Sequence, residues 1–410
     1  SEMQRTLVLP NTLYAEGKFD QYKRDTPYTT LSHALQTLVR HILGRGEREI
    51  AQWRQDINQA VEPNGRLVTD LVPELVTLIG EQPVVAEVPP QDAENRFINV
   101  IRRLLEVFAR PEHPLLLFLD DLQWFDSASL RLLEYLLSQP GLKHLLLLGA
   151  YRDNEVGQTH PLRRTIEVLR NRGVRLSEII LEPLRINETC QLIVDTIHAD
   201  EERVLPLANL VQEKTGGNPF FVNQFLTSLA EENLLAFDSE AREWTWNLNA
   251  IRNKGYSDNV VDLMLEKLSG LPDETQQALK QLACLGTVTE IDILAEVSDQ
   301  SEAALDTALW GAVQAGLVLR DKTSYRFLHD RVQEAAYALI PDQQRSQLHL
   351  AIGRQLVSKS FGGKHEDMLF DVVNHLNRGV ELITDPAEIM QLAELNAAAG
   401  RKASASIAYA

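Results

Sequence analysis

Apolar positions divide the first part of the chain into two kinds of segment. Leu115–Leu119 and Leu145–Leu148 are short, almost pure leucine runs, and the stretches around them have apolar residues every three or four positions. A continuous apolar run is typical of a strand buried on both faces, whereas the longer period is typical of an amphipathic helix. The pattern predicts a parallel sheet covered by helices on both faces, with a short strand within 12–19 and a third apolar strand at Glu178–Leu181.

The pattern changes after residue 185. Mostly helical periods follow, with a short hairpin predicted at 235–248 and two short strands at Leu317–Arg320 and Tyr325–Leu328, as in a winged-helix layout. Beyond residue 342 every segment has the helical period and alanine becomes frequent, which is compatible with a helical repeat. We therefore expect four segments, namely an α/β core at 1–185, a helical lid with the hairpin at 186–256, a winged-helix-like domain at 257–341 and the start of a helical repeat at 342–410.

Composition and charge limit the functional class. The 410 residues are 44% apolar and 24% charged, which is an ordinary globular composition, and the length suits about two to four domains. With 40 Lys and Arg against 58 Asp and Glu, the formal net charge is −18. Contacts to many phosphates need clustered Lys and Arg, so this charge disfavours broad binding to nucleic acid or an anionic membrane. It allows a local basic pocket around one nucleotide.

Cysteine content and apolar run length bear on the cellular setting. Cys190 and Cys284 are the only cysteines, and their separation predicts neither a disulfide framework nor a zinc site, which fits a reducing cytoplasm. No apolar run approaches the roughly 18–20 residues of a membrane span, and no signal-peptide pattern opens the chain. The chain begins with Ser1 and ends in the helical-looking residues 403–410, so we expect it to be cut at both ends.

The strongest chemical signal follows the first leucine-rich strand. Asp120 and Asp121 stand at its carboxyl end, where parallel sheets bind ligands. Asp120 could hold Mg²⁺ beside a nucleotide phosphate, and Asp121 could orient a hydrolytic water. Many parallel strands, however, end in an Asp that caps the next helix. Arg152, after the second leucine-rich strand, could contact a terminal phosphate; the alternative is a surface arginine paired with Asp153 or Glu155.

Two weaker signals lie further along the chain. Gly216 and Gly217 precede Asn218 and Pro219, which open an apolar helix; this loop could pack against a purine base or only start the helix. His329 precedes Asp330, and such a histidine is most often a core or capping residue. The sequence contains no Gly-x-x-x-x-Gly-Lys-Ser/Thr phosphate loop, no protein-kinase motif set and no Gly-x-Ser-x-Gly elbow.

Taken in order, five motifs are more specific than any one of them. They are Gly17–Tyr28, Leu119–Trp124, Ala150–Glu155, Thr215–Phe221 and Phe327–Tyr337. Together they resemble the AAA-like ATPase module of the STAND class (signal-transduction ATPases with numerous domains), as found in large bacterial hybrids of serine/threonine kinase and sensor histidine kinase. The resemblance covers essentially the whole chain. It implies a P-loop-NTPase-like α/β core, then a helical lid, a winged helix and the start of a tetratricopeptide-like superhelix.

The resemblance also implies roles for six residues. Asp120 matches the Walker B residue that binds magnesium, Asp121 the candidate catalytic acid and Arg152 the arginine of the sensor strand. Asn218 and Pro219 match an element near the adenine, and His329 matches a histidine that approaches the diphosphate of ADP and favours a closed state.

The family's phosphate-binding loop is expected just before the strand that ends near Gly17. Ser1–Pro10 is expected to be the remnant of the helix after that loop, so the core is incomplete and this chain should bind ATP weakly or not at all. The intact parent is expected to bind ATP or ADP with Mg²⁺ and to switch an attached kinase or other output domain, with a protein or small-molecule inducer at the helical repeats. The alternatives are a non-hydrolysing interaction scaffold and the ATPase module of a transcription regulator.

Overall fold

The computed structural model describes residues 11–19, 28–86, 88–139, 141–253, 260–360 and 368–405. The chain divides into two compact units, the first formed by Ser1–Leu176 with Asp342–Ala410 and the second by Ser177–Pro341. The predicted remnant helix at Ser1–Pro10 and positions 20–27 of the first motif lie outside the described residues. Among the described residues, no helix combines the length and the apolar character needed to cross a membrane.

A parallel three-stranded sheet organises the first unit. Its strands are β1 (Leu13–Lys18), β2 (Leu115–Asp120) and β3 (Leu145–Gly149), in the order β1-β2-β3. The register pairs Lys18 with Asp120 and Leu119 with Gly149, so the carboxyl ends of all three strands lie at one edge. The strands predicted within 12–19 and at the two leucine runs are therefore confirmed.

Seven helices of the first unit follow from the amphipathic stretches. They are α1 (Thr29–Leu43), α2 (Glu47–Val61), α3 (Gly65–Leu71), α4 (Leu75–Ile79), α5 (Pro90–Phe108), α6 (Ser127–Ser138) and α7 (Pro161–Asn171). Their apolar faces form one core with β1 and β2, in which Phe97, Phe108 and Leu117 are buried. Burial of this apolar surface is the main stabilising contribution to the unit.

Two expectations about the sheet are wrong. β3 is not covered on both faces, since the side chain of Leu146 is 58% exposed. The segment Glu178–Leu181, in the second unit, is not a strand, and Ile179, Ile180 and Leu181 are 75–90% exposed. A strand exists only through pairing, and no described strand pairs with this segment. An apolar run thus indicates suitability for a strand without specifying the partner.

The second unit begins with three helices and the predicted hairpin. These are α8 (Ile186–Ile197), α9 (Glu201–Thr215), α10 (Pro219–Glu231), the antiparallel strands β4 (Leu235–Asp238) and β5 (Glu243–Trp246), and α11 (Leu248–Asn253). Helices α8, α9 and α10 share an apolar core around Ile193, Val211 and Phe225.

The rest of the second unit combines helices with a small antiparallel sheet. Its elements are α12 (Val260–Ser269), α13 (Asp273–Leu285), β6 (Val288–Glu290), α14 (Ile291–Ser298), α15 (Glu302–Gln314), β7 (Val318–Arg320), β8 (Ser324–Phe327) and α16 (Asp330–Ala338). The sheet has the order β6-β8-β7. Both predicted strands are present, whereas β6, with only three residues, was not predicted.

A cluster formed by Asp306, Arg320 and Tyr325 joins α15 to this small sheet. Asp306 Oδ1 accepts hydrogen bonds from Arg320 Nε, at 2.9 Å, and from the Tyr325 hydroxyl. The guanidinium carbon of Arg320 lies 5.0 Å from the centroid of the Tyr325 ring, in cation–π geometry. The hydrogen bonds from Arg320 and then Tyr325 hold the pKa of Asp306 below its usual value. One carboxylate, one guanidinium and one buried phenol therefore satisfy each other here.

The chain returns to the first unit with three helices, as the helical period beyond residue 342 predicts. They are α17 (Asp342–Ser360), α18 (Leu369–Arg378) and α19 (Pro386–Ala405). Gly353 of α17 packs closely on Leu376 of α18, where a side chain on residue 353 would collide. The buried His349 and His375 lie with their Nδ1 atoms 2.9 Å apart across the same two helices.

Candidate functional site

The carboxyl end of β2 delivers two carboxylates with different surroundings. The Asp120 side chain is about one-third exposed, whereas that of Asp121 is only 6% exposed. Asp121 has a left-handed backbone (φ 58°), which Asp tolerates better than most residues, and it starts the 3₁₀ turn at Leu122–Trp124. Its N–H donates to Asp120 Oδ1 at 3.0 Å. The two acids are therefore positioned differently: Asp120 is partly exposed and Asp121 is enclosed.

Lys18 lies beside both acids because β1 is the neighbour of β2. Its Nζ is 3.4 Å from Asp121 Oδ2 and 4.0 Å from Asp120 Oδ2. The sequence analysis gave this lysine no role, so it was missed as a site residue. Its position at the end of a strand predicted within 12–19 was the signal that could have identified it, once the strand order was known.

Arg152 reaches the same cluster from the end of β3. Its Nε lies 3.7 Å from Asp121 Oδ1, and its Nη1 donates to Glu155 Oε1 at 3.1 Å. Gln123 links the parts, because its Nε2 donates to Asp121 at 2.9 Å while its Oε1 accepts from the Arg152 N–H at 3.2 Å. The structure thus brings together Asp120, Asp121 and Arg152, and it also contains the predicted alternative pairing of Arg152 with Glu155.

Trp124 completes the cluster, and the sequence pattern gave no indication of its contacts. Its Nε1 donates to Glu155 Oε2 at 3.0 Å, and the guanidinium carbon of Arg152 lies 5.2 Å from the centroid of its ring. The indole is buried, so it offers both a fixed donor and a cation–π surface.

The charges of the cluster bear on whether magnesium fits. Two cations, Lys18 and Arg152, stand against three carboxylates. No group of three or more His, Cys, Asp or Glu side chains among the described residues could hold a metal by itself. Mg²⁺ beside a nucleotide usually takes one or two carboxylates and completes its shell with phosphates and water. The partly exposed Asp120, 4.0 Å from Lys18 Nζ, fits that role, whereas Asp121 is enclosed and more closely engaged by Lys18 and Gln123.

The remaining predicted site residues belong to the second unit. Asn218 is the N-cap of α10, with its Oδ1 accepting from the N–H groups of Phe220 at 3.0 Å and Phe221 at 3.4 Å, and Pro219 is the first helical residue. Gly217 has φ 74° and lies so close to the Leu184 carbonyl that any side chain would collide with it. The loop therefore has the structural role of a helix start, whatever else it contacts.

His329 is the N-cap of α16. Its Nδ1 accepts a hydrogen bond from the Arg331 N–H at 3.1 Å, so the neutral ring carries its proton on Nε2. The ring stacks on Phe220, with centroids 4.2 Å apart and planes tilted by 21°. The structure thus brings His329 to the helix that Asn218 and Pro219 open, and it shows the capping geometry that was the alternative to a nucleotide role.

Comparison with known proteins identifies related sequences. Residues 1–148 match the AAA ATPase domain. The chain is 26% identical, over an aligned length of 509 residues, to hybrid signal transduction histidine kinase G of Dictyostelium discoideum. The alignment covers 96% of this chain and 15% of that protein. It is 19% identical over 305 residues to peroxide stress-activated histidine kinase mak3 of Schizosaccharomyces pombe, covering 72% and 12%. The chain thus spans a small part of each relative, and the resemblance is not confined to bacterial proteins.

Among solved structures, a similar fold occurs in a STAND protein with a tetratricopeptide repeat sensor from Pyrococcus horikoshii. The TM-score is 0.51 and the identity 14%, with 98% of this chain and 47% of that chain covered. At this identity the likeness concerns the fold alone. Residues 1–148 are therefore similar to an AAA ATPase domain, and the chain, with its parallel α/β core and helical C-terminal region, is similar in fold to a STAND protein.

Proposed function

We propose that this chain contains the nucleotide-binding core and regulatory regions of an ATP-dependent signal-transduction switch of the STAND type. The observation that carries the proposal is the convergence of Asp120, Asp121 and Arg152 at the carboxyl edge of a parallel sheet. That edge is where open α/β sheets bind ligands. Acids beside an arginine match the needs of a phosphate–magnesium complex.

The proposed role of each residue follows from its surroundings. Asp120 would hold Mg²⁺, because it is the more exposed of the two acids at the end of β2; the bound ion would neutralise charge on the phosphates. Asp121 would orient a water and accept its proton. Arg152 would contact the terminal phosphate through its planar fork of donors.

The phosphate-binding loop of this core, and the strand that leads to it, are proposed to be absent from these 410 residues. The sequence contains no Gly-x-x-x-x-Gly-Lys-Ser/Thr element. The position of β3 at one end of the sheet supports the proposal, because an additional strand could pair with its outer edge. Most phosphate contacts would come from the backbone amides and lysine of that loop. The chain by itself would then bind ATP weakly.

The second unit is proposed to supply nucleotide recognition and the conformational response. Asn218 and Pro219 would lie near the adenine, and His329 would recognise the diphosphate of ADP through its Nε2 proton. The β6-β8-β7 sheet with α13, α14 and α15 supports assignment of 257–341 as a winged helix.

The output is proposed to be a kinase in the same cytoplasmic parent protein, since both relatives are histidine kinases that are far longer than this chain. Exchange of ADP for ATP would open the module, and hydrolysis would reset it. An inducer would act at the C-terminal helices α17, α18 and α19.

Thermal unfolding with nucleotide tests the proposal. A version extended upstream through the phosphate loop should be stabilised by millimolar Mg-ATP, since a ligand at about 100 Kd adds roughly 2.7 kcal/mol. The 410-residue chain should show no shift, and Asp120→Asn in the extended version should reduce it. An extended protein that Mg-ATP does not stabilise would contradict nucleotide binding. A clear shift in the short chain would contradict the need for the loop.

A further inference from the structure

Arg152 already has an anionic partner in this structure. Its Nη1 donates to Glu155 Oε1 at 3.1 Å, across the short 3₁₀ turn at Asp153–Glu155. A guanidinium uses the same planar fork of donors for carboxylate and for phosphate oxygens. Glu155 and a phosphate therefore compete for the same donor.

Trp124 places both members of this pair. One oxygen of Glu155, Oε2, accepts from the indole Nε1 at 3.0 Å, while the other faces Arg152. The guanidinium carbon lies 5.2 Å from the centroid of the same indole. Because the indole is buried, its position is fixed by the core. Glu155 can therefore release Arg152 and keep its bond to Trp124.

A second carboxylate, Asp121, also approaches Arg152, but it is the less exchangeable of the two. Its side chain is 6% exposed, whereas that of Glu155 is 31% exposed. Asp121 accepts from Gln123 at 2.9 Å and lies 3.4 Å from Lys18 Nζ. A partly exposed ion pair contributes little and is easily exchanged, whereas breaking an enclosed one leaves charges without compensation. An incoming phosphate would displace Glu155 and leave Asp121 in place.

We propose that Glu155, held by Trp124, is an internal substitute for the terminal phosphate. It sets the phosphate concentration at which Arg152 exchanges Glu155 for phosphate. The inference rests on the proposed function, since it assumes that the phosphate in question belongs to a nucleoside triphosphate. A diphosphate lacks the group that would displace Glu155, so Glu155 keeps Arg152 in that state. Glu155 thereby makes the partner of Arg152 depend on the nucleotide: the terminal phosphate of a triphosphate, or Glu155 itself when a diphosphate is bound.

Labelling of Arg152 by phenylglyoxal, read by peptide mass spectrometry, tests the competition in the upstream-extended protein, which includes the phosphate-binding loop. Tripolyphosphate is the probe, and the quantity measured is the concentration that halves the labelling rate. Glu155→Gln retains an acceptor for Trp124 and removes the charge, and Glu155→Ala is the second variant in case the first does not fold. Asp153→Asn is the matched control, because it removes the same charge from the same turn. The Asp153 carboxylate accepts a hydrogen bond from the Asn154 N–H, whereas that of Glu155 accepts from Arg152.

The half-protecting concentration should fall about threefold to tenfold in Glu155→Gln and stay at the wild-type value in Asp153→Asn. Equal values in the two variants, or no protection of Arg152 in any protein, would overturn the inference. The proposed function is tested by a separate arm with Mg-ATP on the upstream-extended protein. If tripolyphosphate gives the expected difference and Mg-ATP never protects Arg152, nucleotide binding is wrong while the exchange at Arg152 stands.

Discussion

The two groups of predicted site residues are held by different forces. Asp121 and Arg152 are oriented by charges and side-chain hydrogen bonds from residues at or just after the carboxyl ends of three strands. Asn218 and His329 are oriented by backbone N–H groups two or three residues further along the chain. The first group depends on long-range topology and responds to a change of charge. The second depends mainly on local sequence, apart from the stacking of His329 on Phe220, so a substitution there loses a helix cap before it loses any function.

The largest effect is expected from the two acids of the first group, in a version that includes the phosphate loop. Asp121→Asn should leave Mg-ATP binding nearly intact and slow hydrolysis by about 10²–10⁴-fold, because a general base is lost. Asp120→Asn should weaken magnesium-dependent binding instead. Steady-state hydrolysis and nucleotide titration separate the two outcomes, and identical behaviour of the two variants would refute the division of roles.

A smaller effect is expected at His329. A hydrogen bond to a charged group contributes about 1.5–3 kcal/mol, so His329→Ala should weaken ADP relative to a non-hydrolysable ATP analogue by roughly tenfold to a hundredfold. Loss of the cap should also cost about 0.5–2 kcal/mol of folding stability.

His329→Asn is the matched control for that prediction, because Asn retains an N-cap acceptor and lacks the imidazole Nε2. If His329 recognises ADP, the Asn variant should be stable and still have the altered ADP/ATP ratio. If the histidine only caps α16, the Asn variant should match the wild type in both stability and nucleotide affinities.

These contrasts also explain how far the sequence predicts the structure. The leucine runs predict β2 and β3 correctly because continuous apolar strands are a local signal. The cap at Asn218 and the start of α10 at Pro219 are equally local. The burial of β3 is not determined locally, since the same run of leucines suits a central strand and an edge strand alike.

The contacts that sequence reasoning missed all depend on strand order or on distant packing. Lys18 meets Asp120 only because β1 pairs with β2 in that register. Trp124 meets Glu155 after the chain has crossed α6 and β3. Neither pairing has a periodic signature, and each becomes evident only when the ends of the strands are brought to one edge.

The smallest effect is expected at Asp306, whose cluster resembles the first group and has no proposed nucleotide role. Hydrogen bonds in the native state lower the pKa of Asp306, so its stabilising contribution is present above the usual Asp pKa and is lost as the pH falls through the lowered value. Urea unfolding of Asp306→Asn should show a deficit at about pH 7 that shrinks as the pH falls below the usual Asp pKa of about 3.9. A deficit that is constant with pH would show that the charge of Asp306 does not stabilise the fold.

The most direct measurement compares two arginines that share the same type of surroundings. Arg152 and Arg320 each pair with a carboxylate and lie over an aromatic ring, at 5.2 and 5.0 Å from the ring centroids. Isothermal titration of the upstream-extended protein with ADP and a non-hydrolysable ATP analogue should show that Arg152→Ala weakens the triphosphate about tenfold or more relative to ADP. Arg320→Ala should leave both affinities unchanged. Equal effects of the two variants, or an unchanged ratio in Arg152→Ala, would contradict the assignment of the sheet edge as the nucleotide site.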